Sequence, residues 1–216
     1  MGERMTIEQL LAAVPVLPLV TLARAQDAPD IARALSRGGL AAIEITLRTP
    51  AALAAIEAIS RQVPEIIVGA GTILSPEDLR LAAAAGARFA VSPGATPALL
   101  AAARDGSLAY LPGVATASEI QSGLEAGYRC FKFFPAAGAG GIAALKAFSG
   151  PFPQVRFCAT GGIAPDAAQA YLDLPNVLSV GGSWLAPERL VSQRDWAAIE
   201  SLARDTTSKL ARRTSH

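Results

Sequence analysis

The feature that most constrains this fold is a regular alternation of short, strand-like apolar runs with longer Ala- and Leu-rich amphipathic segments. The alternation continues along the whole chain without a break in composition. The predicted strands are Val14–Leu22, Leu40–Leu47, Glu65–Ile73, Arg88–Ser92, Leu108–Pro112, Tyr128–Phe134, Val155–Thr160 and Val177–Val180. The predicted helices open at Asp27, Pro50, Pro76, Pro97, Ala117, Gly141 and Pro165, and a last helix runs from Asp195 to Arg212.

Evenly spaced strand–helix units of this kind predict one closed parallel barrel. We therefore expect an α/β fold, a single (β/α)8 TIM-barrel domain over residues 1–216. A doubly wound open sheet is the alternative, but it gives no reason for such even spacing. A short N-terminal helix from Thr6 to Ala13 is expected to close the bottom of the barrel. In this architecture the functional residues lie at the C-terminal ends of the strands.

The composition argues against several classes of partner. The formal net charge is +1 and the basic residues are spread along the chain, so no patch for nucleic acid or anionic lipid is indicated. No run reaches the ~20 apolar residues of a membrane span. The apolar run Leu10–Leu22 resembles a signal peptide, but Pro15 and Pro18 interrupt it and cleavage after Ala25 would delete the first strand.

The cysteines and the histidine restrict the chemistry further. Cys130 and Cys158 are the only cysteines, and their apolar surroundings argue against a disulfide scaffold and favour a reducing compartment. His216 is the only histidine and stands at the chain terminus, which argues against zinc or iron. We expect no metal and no cofactor.

Lys132 is the strongest chemical signal in the chain, one of only three lysines, within a strand-like run that contains three phenylalanines. Burial there would disfavour a charged amine, and a neutral amine condenses with ketones to give a Schiff base. Because side chains alternate along a strand, Cys130, Lys132 and Phe134 share one face. Cys130 is expected to be a packing residue, because apolar surroundings disfavour a thiolate.

The second predicted strand places Glu44, Thr46 and Arg48 on one face, toward the barrel interior. One hypothesis makes Glu44 a structural ion-pair partner, either of Arg48 on the same face or of Lys132. The other makes Glu44 a general acid–base and Arg48 a clamp for a carboxylate, and the two are compatible. Thr72 and Ser92 end two further strands, where they either line the pocket or cap the following helices.

Two glycine pairs follow the last two strands, in Thr160-Gly161-Gly162 and Gly181-Gly182-Ser183. Glycine allows close approach of the backbone to a ligand, and the loops after the seventh and eighth strands of such barrels frequently bind phosphate. Gly-Gly pairs are also common in turns. Their position at these two strand ends favours phosphate binding.

With these residues in place, the chain resembles the class I 2-keto-3-deoxy-6-phosphogluconate (KDPG) and 4-hydroxy-2-oxoglutarate (KHG) aldolases. The motifs that carry the resemblance are Ile43-Glu44-Ile45-Thr46-Leu47-Arg48-Thr49, Val68-Gly69-Ala70-Gly71-Thr72, Ser92-Pro93-Gly94, Phe131-Lys132-Phe133-Phe134-Pro135-Ala136, Thr160-Gly161-Gly162 and Gly181-Gly182-Ser183-Trp184. They occur in the family's order and extend through nearly the whole chain.

The resemblance implies cleavage of KDPG to pyruvate and D-glyceraldehyde 3-phosphate by a cytoplasmic homotrimer. It assigns the imine to Lys132 and proton transfer to Glu44. The resemblance also implies that Arg48 and Thr72 bind the pyruvyl carboxylate and that Pro93 and Phe134 form the pocket walls. It implies that Thr160 contacts a substrate hydroxyl, and that the phosphate is bound by Gly161, Gly162 and Ser183.

Two positions depart from the family pattern, Ala137 in place of an acidic residue and Ala159 in place of proline. Both affect loop shape and substrate preference, not imine chemistry. Thr160 favours the gluconate over the galactonate epimer. Two functions from other classes remain open, a phosphate-binding isomerase or epimerase that uses Glu44 alone, and a non-catalytic sugar-phosphate sensor.

Overall fold

A computed structural model describes residues 5–210; His216 and the predicted helix end at Arg212 lie outside these residues. The strands are β1 Val16–Val20, β2 Ala42–Thr46, β3 Ile67–Gly71, β4 Phe89–Val91, β5 Ala109–Leu111, β6 Gly113–Val114, β7 Cys130–Phe133, β8 Arg156–Thr160 and β9 Val177–Gly182. The helices are α1 Ile7–Ala13, α2 Ala28–Arg37, α3 Ala52–Gln62, α4 Pro76–Ala84, α5 Pro97–Asp105, α6 Ala117–Glu125, α7 Gly141–Ser149, α8 Ala168–Leu172, α9 Glu188–Gln193 and α10 Trp196–Lys209. Two short 3-10 helices cover Ala25–Asp27 and Ser183–Leu185.

The parallel sheet closes into a barrel. Its order is β5-β4-β3-β2-β1-β9-β8-β7-β6, so its two ends are β5 and β6, which only Pro112 separates in the chain. Proline has no N–H for the ladder and interrupts the fifth barrel strand. The Pro112 carbonyl still accepts a hydrogen bond from the Lys132 N–H at 2.8 Å. The predicted TIM barrel is confirmed, with its fifth strand in two parts.

The predicted boundaries need correction at several elements. The fifth strand continues past its predicted end at Pro112 to Val114, while the predicted strand Val14–Leu22 shortens to β1. Helices α3 and α8 begin two and three residues after the predicted openings at Pro50 and Pro165. Helix α9 was not predicted at all, because six residues are too few for a clear helical period.

Helix starts follow the side-chain signals in the sequence. Ser75 and Asp78 form a reciprocal capping box at α4, as do Thr116 and Glu119 at α6. Thr96 caps α5 by accepting the Leu99 N–H at 3.2 Å. These caps satisfy backbone donors in the loops that follow the strands, and so hold the C-terminal face of the barrel in place.

The barrel interior is apolar at its N-terminal end. Leu10 and Leu11 of α1 pack in one cluster with interior residues such as Leu17 and Phe89, so α1 closes the bottom as predicted. A second, larger cluster joins the outer faces of the strands to the surrounding helices. None of the helices in residues 5–210 is long and apolar enough to cross a bilayer. Among the buried polar side chains, those of Glu44, Thr46, Lys132 and Thr160 lie on barrel strands.

Candidate active site

Lys132 and Glu44 meet inside the barrel. Lys132 lies on β7 and Glu44 on β2, and their side chains are 4% and 2% exposed. The Lys132 Nζ lies 3.6 Å from Glu44 Oε1, which is an ion-pair distance and longer than a good hydrogen bond. An amine and a carboxylate from opposite sides of the ring therefore share one water-poor space.

Burial sets the protonation behaviour of Glu44. It raises the pKa of the Glu44 carboxyl above its ordinary value, and the charges of Lys132 and Arg48 offset part of that rise. A carboxyl whose pKa moves toward neutrality is suited to both taking up and returning a proton. The general acid–base role of Glu44 stays a prediction, and this environment is compatible with it.

Glycine makes room for the carboxylate. A Cβ at Gly71 on β3 would lie 2.6 Å from Glu44 Cδ and 2.7 Å from Cγ, closer than atoms tolerate. One layer down, a Cβ at Gly69 would collide with the Phe89 ring. These two glycines were noted in the sequence only as part of a family motif. The position of Glu44 therefore requires glycine at residue 71, since any side chain there would displace Glu44.

The surroundings of Lys132 combine one aromatic ring with the barrel wall. Its Nζ lies 5.1 Å from the centroid of the Phe134 ring, within cation–π range. Phe131 and Phe133 point outward into the cluster beneath the helices, as the alternation of side chains predicted. The Lys132 amine is therefore surrounded by the barrel interior and the Phe134 ring, and not by Phe131 and Phe133.

The two cysteines lie beside this space without the features of a nucleophile. Cys158 pairs with Lys132 across β7 and β8, and burial raises the pKa of its thiol to about 11. Cys130 lies in the apolar interior cluster, where burial also raises its thiol pKa. Both environments suit packing, in agreement with the prediction for Cys130.

Arg48 and Thr72 lie together at the rim. Arg48 is exposed just beyond the end of β2, and its Nε donates to Thr72 Oγ1 at 3.1 Å. Thr72 has a φ of 61°, a left-handed conformation that is unusual for a β-branched residue. Strain of this kind clusters at binding sites, where it aims a side chain. Thr72 does not cap α4, because Ser75 does.

Pro93 lies half-buried after β4, beside a buried serine. The Ser92 hydroxyl makes a 2.6 Å hydrogen bond with the Tyr110 hydroxyl and accepts the Gly113 N–H at 3.4 Å. Ser92 therefore neither lines the pocket nor caps α5. It fastens the Pro93 loop to the interrupted fifth strand, directly beside Lys132, which pairs with Gly113.

The glycine pairs lie on neighbouring strands. Gly161 and Gly162 have φ values of 102° and 73°, a conformation that favours glycine, and they follow Thr160 at the end of β8. Thr160 pairs with Gly181 of β9, and exposed Ser183 follows that strand. Both loops thus lie side by side at the C-terminal edge, on the β8–β9 side of Lys132.

Comparison with known families agrees with this geometry. The family model for KDPG and KHG aldolase matches residues 7–202. The chain belongs to this family. The 2-dehydro-3-deoxy-phosphogluconate aldolase of Pseudomonas aeruginosa is 47% identical over 210 residues, covering 97% of this chain and 96% of the relative. The KHG/KDPG aldolase of Escherichia coli K12 is 48% identical over 198 residues, covering 92% and 93%.

Solved structures of aldolases superpose closely on this chain. The KDPG aldolase of Legionella pneumophila, with pyruvate captured as a covalent carbinolamine intermediate, gives a TM-score of 0.92 at 46% identity and covers 94% of this chain and 99% of that one. A KDPGal structure gives 0.76 at 26% identity, covering 90% and 97%. The 3-keto-L-gulonate-6-phosphate decarboxylase of Vibrio cholerae, at 17% identity and a TM-score of 0.65, shares only the fold; it covers 92% and 98%.

The candidate active site also includes residues to which the sequence alone assigned no function. Gly71 gives space to Glu44, and Tyr110 holds Ser92. Thr21 reaches the barrel mouth and bonds Thr46. No short-range sequence signal points to these residues, since each acts on a partner about 20 or more positions away.

Proposed function

We propose that this aldolase cleaves KDPG to pyruvate and D-glyceraldehyde 3-phosphate through an imine on Lys132. The observation that carries the proposal is the buried Lys132 Nζ, 3.6 Å from Glu44 Oε1. Relatives named for this activity, at close to half identity over nearly the whole chain, support it. So does the captured pyruvate carbinolamine of the Legionella relative.

The first step forms the imine. The free amine of Lys132 adds to the C2 carbonyl of the substrate, and the hydroxyl of the resulting carbinolamine takes up a proton and leaves as water, which gives an iminium ion. The iminium nitrogen then withdraws electrons from C3. Glu44 is close enough to exchange protons with the carbinolamine hydroxyl and the departing water.

The second step breaks the C3–C4 bond. Glu44, directly or through a water molecule, removes the proton of the C4 hydroxyl, and the oxygen electrons form the aldehyde carbonyl. The electrons of the broken bond pass into the iminium and give an enamine. Glu44 then returns a proton to C3. Water hydrolyses the pyruvyl imine and frees Lys132.

The two ends of the substrate bind on different sides of this pair. We assign the pyruvyl carboxylate to the rim pair of Arg48 and Thr72, because a guanidinium suits a carboxylate. Gly161, Gly162 and Ser183 are assigned to the phosphate. These assignments hold the scissile bond over Lys132 and Glu44.

The remaining proposed contacts are pocket walls around the pyruvyl group and a hydrogen bond to a substrate hydroxyl. Pro93 and Phe134 are assigned to the walls around the pyruvyl group, and the cation–π distance already places the Phe134 ring beside Lys132. Thr160 is assigned to a substrate hydroxyl. Its buried position beside Gly181 restricts it to a substrate that reaches into the barrel.

KHG is a second substrate candidate, because the Escherichia coli relative is named for both activities. A retro-aldol assay with KDPG, its galactonate epimer and KHG, coupled to pyruvate reduction, ranks the three. We expect KDPG first, with Thr160 disfavouring the epimer. A higher kcat/KM for the epimer would contradict the role given to Thr160.

Trapping with borohydride tests the imine. The protein is incubated with pyruvate and sodium borohydride, and intact mass followed by peptide mapping locates the adduct. We expect one reduced pyruvyl group on Lys132, none in Lys132→Arg, and an unchanged adduct in the matched surface control Lys146→Arg. A folded wild-type protein that traps nothing, or traps on Lys146 or Lys209, contradicts the proposal. An isomerase or epimerase would convert substrate without releasing pyruvate.

We further propose that the protein forms a homotrimer and acts in the cytoplasm on small molecules alone. Family resemblance supports the trimer, and the balanced charge of +1 supports the absence of nucleic-acid and membrane partners. Light scattering coupled to size exclusion gives the mass of the assembly. A monomer or dimer at micromolar concentration would contradict the trimer.

A further inference from the structure

Two threonine hydroxyls meet at the mouth of the barrel without a role in the chemistry described above. Thr21 Oγ1 lies 2.7 Å from Thr46 Oγ1, and Thr46 is buried while Thr21 is exposed. Among the described residues this is the one hydrogen-bond partner of the Thr21 hydroxyl. A hydroxyl has one donor and two acceptor positions, so Thr21 keeps capacity for a further bond.

The pair lies above the catalytic centre. Thr46 is two residues beyond Glu44 on the same face of β2, which places it about 7 Å closer to the mouth at the rise of a strand. Thr21 directly follows β1, whose residue Leu17 faces the interior and whose residue Val20 faces outward. The bond to Thr46 places the Thr21 hydroxyl on the interior side.

The strands that pair with β1 define the position of Thr21 around the barrel. Strand β1 pairs with β2 on one side, with Leu19 opposite Glu44, and with β9 on the other, with Pro18 opposite Gly182. Thr21 therefore lies between the carboxylate of Glu44 and the loop that begins at Ser183. The Thr21 hydroxyl therefore borders the barrel mouth between these two groups.

The Thr21 segment is held in place by a second threonine. Thr49 Oγ1, beyond the end of β2, donates to the Leu22 carbonyl at 2.6 Å. Thr21 is thus fixed through its own side chain and through the backbone of the next residue. A hydroxyl that is fixed before the substrate arrives loses little conformational freedom on binding.

We propose that Thr21 is a specificity-determining residue and that its hydroxyl bonds the C5 hydroxyl of the substrate. C5 lies between C4, which becomes the aldehyde carbon, and the phosphorylated carbon C6. The inference rests on the proposed function and extends it to a residue outside the family motifs quoted above. It predicts preference for phosphorylated 2-oxo acids that carry this hydroxyl. A site that bonds a substrate hydroxyl discriminates against the analogue that lacks it.

The test uses the condensation direction with two aldehydes. D-Glyceraldehyde 3-phosphate carries the hydroxyl, and 3-oxopropyl phosphate has the same chain and phosphate without it. Thr21→Val removes the hydroxyl at nearly constant volume. We expect kcat/KM for glyceraldehyde phosphate to fall about five- to tenfold, the effect of one hydrogen bond, chiefly through KM. The value for 3-oxopropyl phosphate should stay unchanged.

Two further variants separate recognition from structure. Thr21→Ser keeps the hydroxyl and should restore the wild-type ratio between the two aldehydes, whereas Thr21→Ala should reproduce the loss seen in Thr21→Val. An equal fall with both aldehydes, or no fall with either, overturns the role of Thr21. A wild-type protein that does not join pyruvate to glyceraldehyde phosphate refutes the proposed function itself, before any variant is compared.

Discussion

Replacing Gly71 with alanine tests the geometry of the catalytic pair most directly. Gly71 does not have the left-handed backbone that favours glycine, so alanine is conformationally allowed and only its contacts change. The new Cβ would lie 2.6 Å from Glu44 Cδ, whereas ordinary contact begins near 3.4 Å. Because Glu44 Oε1 would lie closer still, the carboxyl group must withdraw by at least about 0.8 Å.

That displacement is large on the scale of catalysis. A misplacement of about 1 Å can cost about 100-fold in rate, because the reacting groups leave their productive geometry. We expect kcat for KDPG cleavage to fall about 30- to 100-fold. Overpacking of this kind also costs about 1–3 kcal/mol of stability, which most domains survive.

The assay isolates the function of Glu44. Exchange of the pyruvate methyl protons in deuterated water, followed by NMR, measures proton transfer at C3 without the aldehyde. It should fall in parallel with kcat. Gly150→Ala is the matched control, because Gly150 is exposed, has helical dihedrals and leaves 3.9 Å to the nearest atom. A folded Gly71→Ala protein that keeps kcat within about threefold of wild type refutes this account of Glu44.

Three other predictions follow from the same structure. Glu44 must be deprotonated to accept the proton of the C4 hydroxyl, and burial raises the pKa of its carboxyl. The value of kcat/KM should therefore fall as the pH decreases through a value above the usual glutamate range. An acid limb at or below about pH 4.3 would contradict this. Cys158, with a thiol pKa of about 11, and buried Cys130 should resist iodoacetamide at pH 8 in the native protein and react after unfolding, as mass spectrometry can follow; rapid native labelling of either thiol would be inconsistent with their burial. Tyr110→Phe removes the hydroxyl that bonds Ser92 and should lower the free energy of unfolding by about 1 kcal/mol in urea titrations, with Tyr171→Phe as the comparison; equal stability of Tyr110→Phe and wild type would argue against that bond.

Much of the fold was predictable because local signals agree with it. Ser75-Pro76 and Thr96-Pro97 mark the starts of α4 and α5 at the predicted residues. The alternation in β2 and β7 placed Glu44 and Lys132 inside the barrel correctly. The fifth strand was predicted one segment short, because proline usually ends a strand and only the neighbouring strands reveal that pairing resumes at Gly113.

The sequence by itself determined the strand–helix alternation, the inward faces of β2 and β7, and the strand ends at which functional residues lie. These features depend on periods of two and 3.6 residues and on local caps. Tertiary structure alone decided which inward residues meet. The 3.6 Å approach of Lys132 and Glu44, the space that Gly71 leaves and the Thr21–Thr46 bond arise when the ring closes. Closure fixes distances between residues about 25 to 90 positions apart, which no local period encodes.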